Sequence, residues 1–316
     1  MKKILLTSLV IFCVCYAGLT SGSDWLANDK VLYKSTTDSG SDEYAEGGIY
    51  IYDFAEDVSQ LVIDGIMIDR SEAWLMPDDN ILLFTIKGIY ILDQQGNVVD
   101  QHSLADNRLI AGAAYQVGNQ EAVFLMVQEG QLSLHGYNLA SNKVELLVDK
   151  VPVTYSGIEE PFKSMFFLNE NTVLINNNCS NNVIFNLKNK DIVNLPFNDE
   201  NCFGYNIYQT KDGFVYYIYT NKERTSYQIA IFSSQDQKRL EVRQESQSEG
   251  EPIPIKVYSD HKSNSFFVKI NDELYSYNGT SMNKAETKEL NEVVLFRDRQ
   301  LLFVTSDGRV TSKQTF

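Results

Sequence analysis

Short apolar stretches separated by polar turns recur along the whole chain. Between Trp74 and Asp93, for example, the sequence WLMPDDNILLFTIKGIYILD alternates three apolar runs with a Pro-Asp-Asp-Asn turn and a Lys-Gly break. Runs of this length, rich in β-branched and aromatic residues, predict β-strands. No stretch of ten residues sustains the 3.6-residue period of a helix. The pattern therefore predicts an all-β repeat protein.

The repeats predict a propeller. An aromatic residue closes the first strand of seven units, with spacings from 38 to 52 residues: Trp25, Trp74, Tyr115, Phe167, Tyr208, Tyr258 and Phe296. Four-stranded units of this period predict a seven-bladed β-propeller. A ring of six to eight blades and a β-sandwich are the alternatives. The last repeat has sequence for three strands, so we expect a three-stranded last blade.

Two segments resemble known propeller repeats. Residues 88–98, GIYILDQQGNV, resemble the third strand and turn of quinoprotein-like and YVTN-like repeats, and residues 74–80, WLMPDDN, resemble the first turn of TolB-like repeats. The resemblance implies a propeller across the mature chain. Because this superfamily includes enzymes, receptors and scaffolds, it implies no single function.

The first residues predict a cleaved secretion signal. Lys2 and Lys3 precede an apolar run, Ile4 to Ala17, which is followed by small residues up to Ser23. The run is shorter than the ~20 residues of a spanning helix. We therefore expect a signal peptide at 1–23, a single domain at 24–316, and a secreted or periplasmic protein without membrane insertion.

The net charge of −15 predicts a surface that repels nucleic acid. We expect a monomer. Of the four cysteines, Cys13 and Cys15 lie within the signal, which leaves Cys179 and Cys202. Two cysteines in an oxidising compartment are normally bridged, so we predict a disulfide between them.

Motifs for catalysis are absent from the sequence. His102, His135 and His261 lie in different repeats without zinc-ligand spacing, and no serine nucleophile motif or phosphate-binding loop is present. Propeller glycosidases and lyases gather carboxylates from several blades, so an enzyme stays an alternative. Its nominal candidates are Asp69, Asp79, Glu159, Glu160 and Asp298.

One acidic loop has ligands suited to calcium. Asp38, Asp42 and Glu43 supply carboxylate oxygens but lack the order of an EF-hand loop. We expect a solvated acidic loop here and no cofactor, and calcium binding is the alternative interpretation.

We expect the protein to be a binding or scaffold module for a protein or carbohydrate partner. The long loops between strands two and three, and between successive repeats, should share one face, and loops on a rigid scaffold often carry recognition. Charged residues in these loops are candidate contacts: Glu159, Glu160, Asp199 and Glu200. The alternative is a glycosidase or lyase with its carboxylates in the central channel.

Overall fold

The structure, a computed structural model, describes most of the chain between Lys30 and Thr315. The described residues are 30–36, 46–53, 55–67, 70–105, 107–116, 121–155, 162–176, 182–194, 207–210, 213–219, 227–233, 237–242, 255–259, 264–270, 273–285, 293–297, 300–304 and 310–315. Within them, 26 strands form seven antiparallel sheets. The prediction of an all-β protein is confirmed.

Five sheets have four strands each, and every strand pairs with its neighbour in sequence. The second and third sheets contain β4 Ser71–Leu75, β5 Ile81–Thr85, β6 Gly88–Leu92 and β7 Val98–Ser103, then β8 Arg108–Gln116, β9 Glu121–Gln128, β10 Gln131–Asn138 and β11 Lys143–Val148. The fourth and fifth contain β12 Met165–Asn169, β13 Thr172–Ile175, β14 Val183–Asn186 and β15 Ile192–Asn194, then β16 Ile207–Thr210, β17 Gly213–Tyr219, β18 Tyr227–Ser233 and β19 Gln237–Val242. The sixth contains β20 Ile255–Ser259, β21 Phe266–Ile270, β22 Glu273–Tyr277 and β23 Met282–Lys284.

The first and last sheets have three strands. They contain β1 Lys30–Thr36, β2 Glu46–Asp53 and β3 Val58–Met67, and β24 Val293–Arg297, β25 Gln300–Val304 and β26 Val310–Thr315. The described residues thus form five complete four-stranded blades rather than the predicted seven, a number outside the alternative of six to eight. The first sheet falls short because its predicted first strand, at 24–27, lies outside the described residues. The last sheet has the three predicted strands within the described residues, and residues 18–24, which could add a fourth, lie outside them.

The first strands of successive sheets lie beside one another. Contacts join β1 to β4, β4 to β8, β8 to β12, β16 to β20 and β20 to β24. The periodic aromatic residues all lie in these first strands, except Trp25, which lies outside the described residues. In the second to seventh sheets, we call the end at which the first strand begins the starting end, and we call the opposite end the turn end. β1 corresponds to the second strand of its predicted repeat, so it ends, rather than begins, at the starting end. Turns between second and third strands also lie at the starting end.

Successive side chains of one strand contribute to different hydrophobic cores, one on each side of its sheet. In β4, Ala73 and Leu75 pack against the first sheet, whereas Trp74 packs against the third with Phe84 and Tyr115. Since successive side chains of a strand point to opposite faces, one strand contributes to two cores. Burial of both faces accounts for the continuous apolar runs of strands such as β5, ILLFT, and β9, EAVFLMVQ.

Candidate functional site

Four buried charged side chains distinguish the starting end. Among the described residues, the buried Lys, Arg and Glu residues are Lys34, Arg70, Glu72 and Lys163, each at most 5% exposed. We call these four the starting-end cluster. Such residues are rarely buried unless they are paired, because removing a charge from water is costly. Four buried charged residues at one end therefore need nearby groups of opposite charge or hydrogen-bonding groups.

Lys34 joins the first two sheets. Its Nζ donates a hydrogen bond to the main-chain oxygen of Ser71 at 2.6 Å and lies 3.9 Å from Glu72 Oε2. The shorter contact is the stronger, and the carboxylate adds an electrostatic interaction in a water-poor environment. Because Lys34 is near the end of β1 while Ser71 starts β4, these two strands run in opposite directions.

Arg70 and Glu72 flank the start of β4. Arg70 immediately precedes the strand and is 5% exposed, and Glu72 is the second strand residue. A guanidinium has five N–H donors in a planar fork that matches a carboxylate or phosphate group. The start of the second sheet thus contributes one cation and one carboxylate to the starting-end cluster.

Lys163 is fixed by its main chain. Its N–H donates to the oxygen of Ala111 in β8 at 2.7 Å. The register of β8 against β9 shifts between Ile110 and Gly112, which marks a β-bulge at Ala111. A Cβ atom on Gly112 would lie 2.6 Å from the oxygen of Lys163, so only glycine allows this approach. The bulge and the glycine together position Lys163.

Two buried amides lie at the same end of the fourth sheet. Asn176 follows β13 and Asn182 precedes β14, and they are 3% and 2% exposed. The Asn176 N–H donates to the oxygen of Ser164 at 2.9 Å, next to Lys163. Amides both donate and accept hydrogen bonds, so this end combines cationic and neutral polar groups.

Neither a family model nor a curated protein sequence matches the chain. Solved structures do match it. An oligogalacturonate lyase from Vibrio parahaemolyticus has a TM-score of 0.62 at 10% identity, covering 92% of this chain and 87% of its own. An oligogalacturonate lyase in complex with manganese has a TM-score of 0.59 at 10% identity, covering 90% and 84%. An uncharacterized protein from Listeria monocytogenes has a TM-score of 0.51 at 13% identity, covering 92% of both chains.

The fold is a β-propeller. At these identities the similarity establishes the fold alone. In the part of the propeller that the structure describes, no helix is long and apolar enough to cross a membrane. No three His, Cys, Asp or Glu residues of that part lie together as ligands for a metal ion.

Most predicted site residues lie outside the described residues of the propeller. This applies to the calcium candidates Asp38, Asp42 and Glu43, to both cysteines, to the loop residues Glu159, Glu160, Asp199 and Glu200, and to Asp69, Asp298 and His261. Asp79 is described. It lies in the turn between β4 and β5 with a φ of 64°, at the turn end and away from the starting-end cluster.

The two described histidines lie in different sheets and do not form a common site. His102 lies in the outer strand β7, whereas His135 lies in β10 and is buried between blades. Ser133 Oγ is 2.9 Å from His135 Nε2 and donates to the oxygen of Met126 at 3.3 Å. Burial, with a smaller contribution from the positive charge of Arg108, lowers the pKa of His135. With both side chains buried, the pair is a core interaction rather than an exposed nucleophile and base.

Sequence reasoning missed the starting-end cluster. Its signal is a charged residue at a position that alternation assigns to the core. Lys34 is two residues after the buried Leu32, on the same face of β1. Glu72 likewise precedes the buried Trp74 by two residues. A charge at such a position predicts a buried polar contact.

Proposed function

We propose that this propeller is a binding module for a protein or carbohydrate partner, and that its ligand site lies at the starting end. The observation that carries the proposal is the burial of Lys34, Arg70, Glu72 and Lys163 at that single end. Buried ion pairs contribute little net stability, since desolvation offsets much of their attraction. Their concentration at one end of a rigid scaffold is therefore better explained by recognition than by folding.

The proposal includes the setting of the protein. The chain is secreted or periplasmic after removal of residues 1–23, and residues 24–316 form one monomeric domain. The two three-stranded sheets are further blades of the same ring, because β1 contacts β4 and β20 contacts β24. The loop residues Glu159, Glu160, Asp199 and Glu200, which lie outside the described residues, are part of the proposal as contacts of the partner.

Two matched variants test the location of the site. Arg108 is exposed at the start of β8, whereas Lys188 is exposed in the turn between β14 and β15 at the turn end. The immobilised mature protein is exposed to an array of glycans and to a native envelope extract. Capture should be lost in R108E and retained in K188E, which changes the charge equally. Equal capture by both variants, or loss in K188E alone, would place the site elsewhere.

A lyase acting on an acidic polysaccharide is the second candidate. It is supported by the similarity of the fold to two oligogalacturonate lyases over at least 90% of this chain. The cations of the starting-end cluster suit a substrate that carries carboxylates. Incubating the protein with oligogalacturonate, with and without manganese, and following the ultraviolet absorbance of unsaturated products tests this candidate. Product formation that E72Q abolishes would support it, and no product in either condition would contradict it.

A further inference from the structure

The turn between β22 and β23 contains the single Asn-Gly pair of the chain, Asn278 and Gly279. In such a pair, the main-chain nitrogen of the glycine can attack the side-chain carbonyl carbon of the asparagine, because glycine has no side chain to hinder the approach. Both residues are exposed. Water therefore reaches the two groups that would react.

The amide of Asn278 is held beside the glycine. Its Oδ1 accepts hydrogen bonds from the Thr280 N–H at 3.1 Å, from Thr280 Oγ1 at 2.8 Å and from the Ser281 N–H at 3.0 Å. A side chain that is bonded to the residue two positions later lies along the main chain, next to the intervening residue. The three donors also stabilise the negative charge that develops on this oxygen when its carbon is attacked.

The nucleophile and the leaving group are both available. Within the described residues, neither the Gly279 N–H nor Asn278 Nδ2 takes part in a hydrogen bond. The Gly279 nitrogen can therefore lose its proton without breaking a bond, and the amide nitrogen can leave directly into the solvent.

We propose that Asn278 is a site of spontaneous deamidation in the folded protein. The Gly279 nitrogen loses its proton and forms a bond to Asn278 Cγ, while the bond from Cγ to Nδ2 breaks and Nδ2 takes up the proton and leaves as ammonia. Water then opens the resulting succinimide at either carbonyl, which leaves aspartate or isoaspartate at this position. The reaction needs only water, and it is independent of the binding site proposed above.

Two corresponding turns provide an internal comparison. Asn138 and Asn186 cap the turns of the third and fourth sheets through the same kind of Oδ1 contact. Each is followed by a leucine, Leu139 or Leu187, that packs against a hydrophobic core. The Leu187 N–H is also bonded to the oxygen of Asn171 at 2.7 Å. A branched, packed side chain hinders the main-chain nitrogen, so these two asparagines should stay intact.

The two products of the reaction differ in their effect on the turn. Aspartate fits, because Asp53 and Asp93 cap the corresponding turns of the first two sheets through Oδ1. Isoaspartate adds a methylene group to the main chain and moves the carboxylate, which disturbs the pairing of Tyr277 with Met282 beside the turn. Since β23 has only three residues, isoaspartate should loosen this outer strand.

Peptide mass spectrometry tests the site on the mature protein, incubated in its folded state at mildly alkaline pH. The peptide that contains Asn278 should accumulate deamidated forms, with isoaspartate among them, whereas the peptides that contain Asn138 and Asn186 should not. The rate should rise with pH, because the attacking nitrogen must lose a proton. An intact Asn278, or equal deamidation of all three asparagines, would overturn the proposal.

Two variants of Thr280 test the role of the donors. T280A removes one of the hydrogen bonds to Asn278 Oδ1 and should slow deamidation roughly two- to tenfold, the rate equivalent of one net hydrogen bond. T280S retains the hydroxyl and should react like the wild type. A faster reaction in T280A would show that the bonds restrain the asparagine, and would overturn their assigned role in the attack.

The stability of the products tests the consequence for β23. N278D carries the same added charge as the isoaspartate form and should unfold at nearly the same urea concentration as the wild type. The isoaspartate form, separated chromatographically from the incubated protein, should unfold at a lower concentration. Equal midpoints for the two forms would overturn the proposed loosening of β23.

Discussion

The hydroxyl of Tyr137 donates a hydrogen bond to Asn142 Oδ1 at 2.9 Å, across the turn between the last two strands of the third sheet. The same asparagine donates from Nδ2 to Asp100 Oδ2 of β7 at 2.9 Å. One side chain thus closes its own turn and joins its blade to the preceding blade. Asn142 has a φ of 51°, a left-handed conformation that asparagine tolerates better than most residues.

This turn recurs around the propeller. In five described sheets, the strand before the last one ends at or just before an aspartate or asparagine whose Oδ1 accepts main-chain N–H groups two to four residues later: Asp53, Asp93, Asn138, Asn186 and Asn278. Each follows a buried apolar or tyrosine residue: Tyr52, Leu92, Tyr137, Phe185 and Tyr277. Side chains of this kind mimic a main-chain turn. The repeat at the turn end is therefore structural.

Removing the Tyr137 hydroxyl should weaken this link. In Y137F, Asn142 Oδ1 loses its bond, and the free energy of unfolding should fall by about 1 kcal/mol. Tyr90 is partly exposed, with its phenol near Gly88, and Y90F should change stability by less than ~0.5 kcal/mol. Urea denaturation of both variants measures the difference. Equal losses would contradict a specific role for the Tyr137 bond.

The sequence was sufficient to predict the strands and their period. Alternating apolar residues placed the first strands correctly at Trp74, Tyr115 and Phe167, because each must fill a core between two blades. The number of complete blades was predicted less well. In the sixth sheet, for example, the last strand is Met282–Lys284 rather than residues 285–289, since the short Asn278 turn brings it earlier.

The candidate site was harder to predict because its residues come from different repeats. Lys34 and Glu72 are 38 positions apart and meet only when β1 lies beside β4. Lys163 depends on a bulge at Ala111, and a bulge changes register without a characteristic residue. The composition gave no indication of these residues either, because an acidic chain predicts solvated carboxylates and does not predict buried cations.

Gly96 should be essential to the contact between the first two sheets. It lies in the turn between β6 and β7 with a φ of 82°, and a Cβ atom there would lie 2.2 Å from the oxygen of Val62 in β3. G96A should cost about 3 kcal/mol or more, from backbone strain and displacement of β3 together. Thermal and urea unfolding measure the loss.

Gly130 provides the control for backbone strain alone. Its φ is 77°, yet nothing lies within 4 Å of an added Cβ atom. G130A should therefore cost only roughly 1 to 2 kcal/mol. If G96A were no more destabilising than G130A, the close approach of Gly96 to Val62 would not contribute to stability.

Cys179 and Cys202 remain predicted to form a disulfide. Both lie outside the described residues, so the prediction rests on the two cysteines and the expected oxidising compartment. Thiol titration of the unfolded, unreduced mature protein should find no reactive thiol. Reduction should then lower stability by ~3 kcal/mol, the value expected from the chain entropy of the closed loop. Free thiols before reduction would refute the bridge.

Calcium binding to Asp38, Asp42 and Glu43 is the alternative to the expected solvated loop, and it can be tested separately. If these carboxylates bind the ion in the folded state, millimolar calcium should raise the melting temperature by mass action. A chelator should reverse the shift, and D42N should abolish it. We expect an unchanged melting temperature, as for a solvated acidic loop, and a rise that the chelator reverses would establish the calcium site.

His135 should make the stability of the propeller depend on pH. Burial lowers its pKa from the ordinary value of 6.5, so the folded protein binds this proton less readily than the unfolded chain. Stability is therefore fully present above the ordinary pKa and falls as the pH drops below it. The ring stacks on Phe124, with centroids 5.4 Å apart, and His135 Nδ1 has no hydrogen-bond partner in this buried position. The proton would thus add an unpaired charge between two blades.

The variant H135F tests this dependence, since phenylalanine keeps an aromatic ring against Phe124 and has no group to protonate. Ser133 retains its bond to the oxygen of Met126 in this variant. Urea midpoints at pH 7.5 and pH 5 should differ more for the wild type than for H135F, whereas H102F, which changes a partly exposed histidine of β7, should behave like the wild type. Because carboxylates titrate in all three proteins alike, the difference between variants isolates His135. An equal change with pH in H135F and the wild type would show that this histidine does not bind the proton on unfolding.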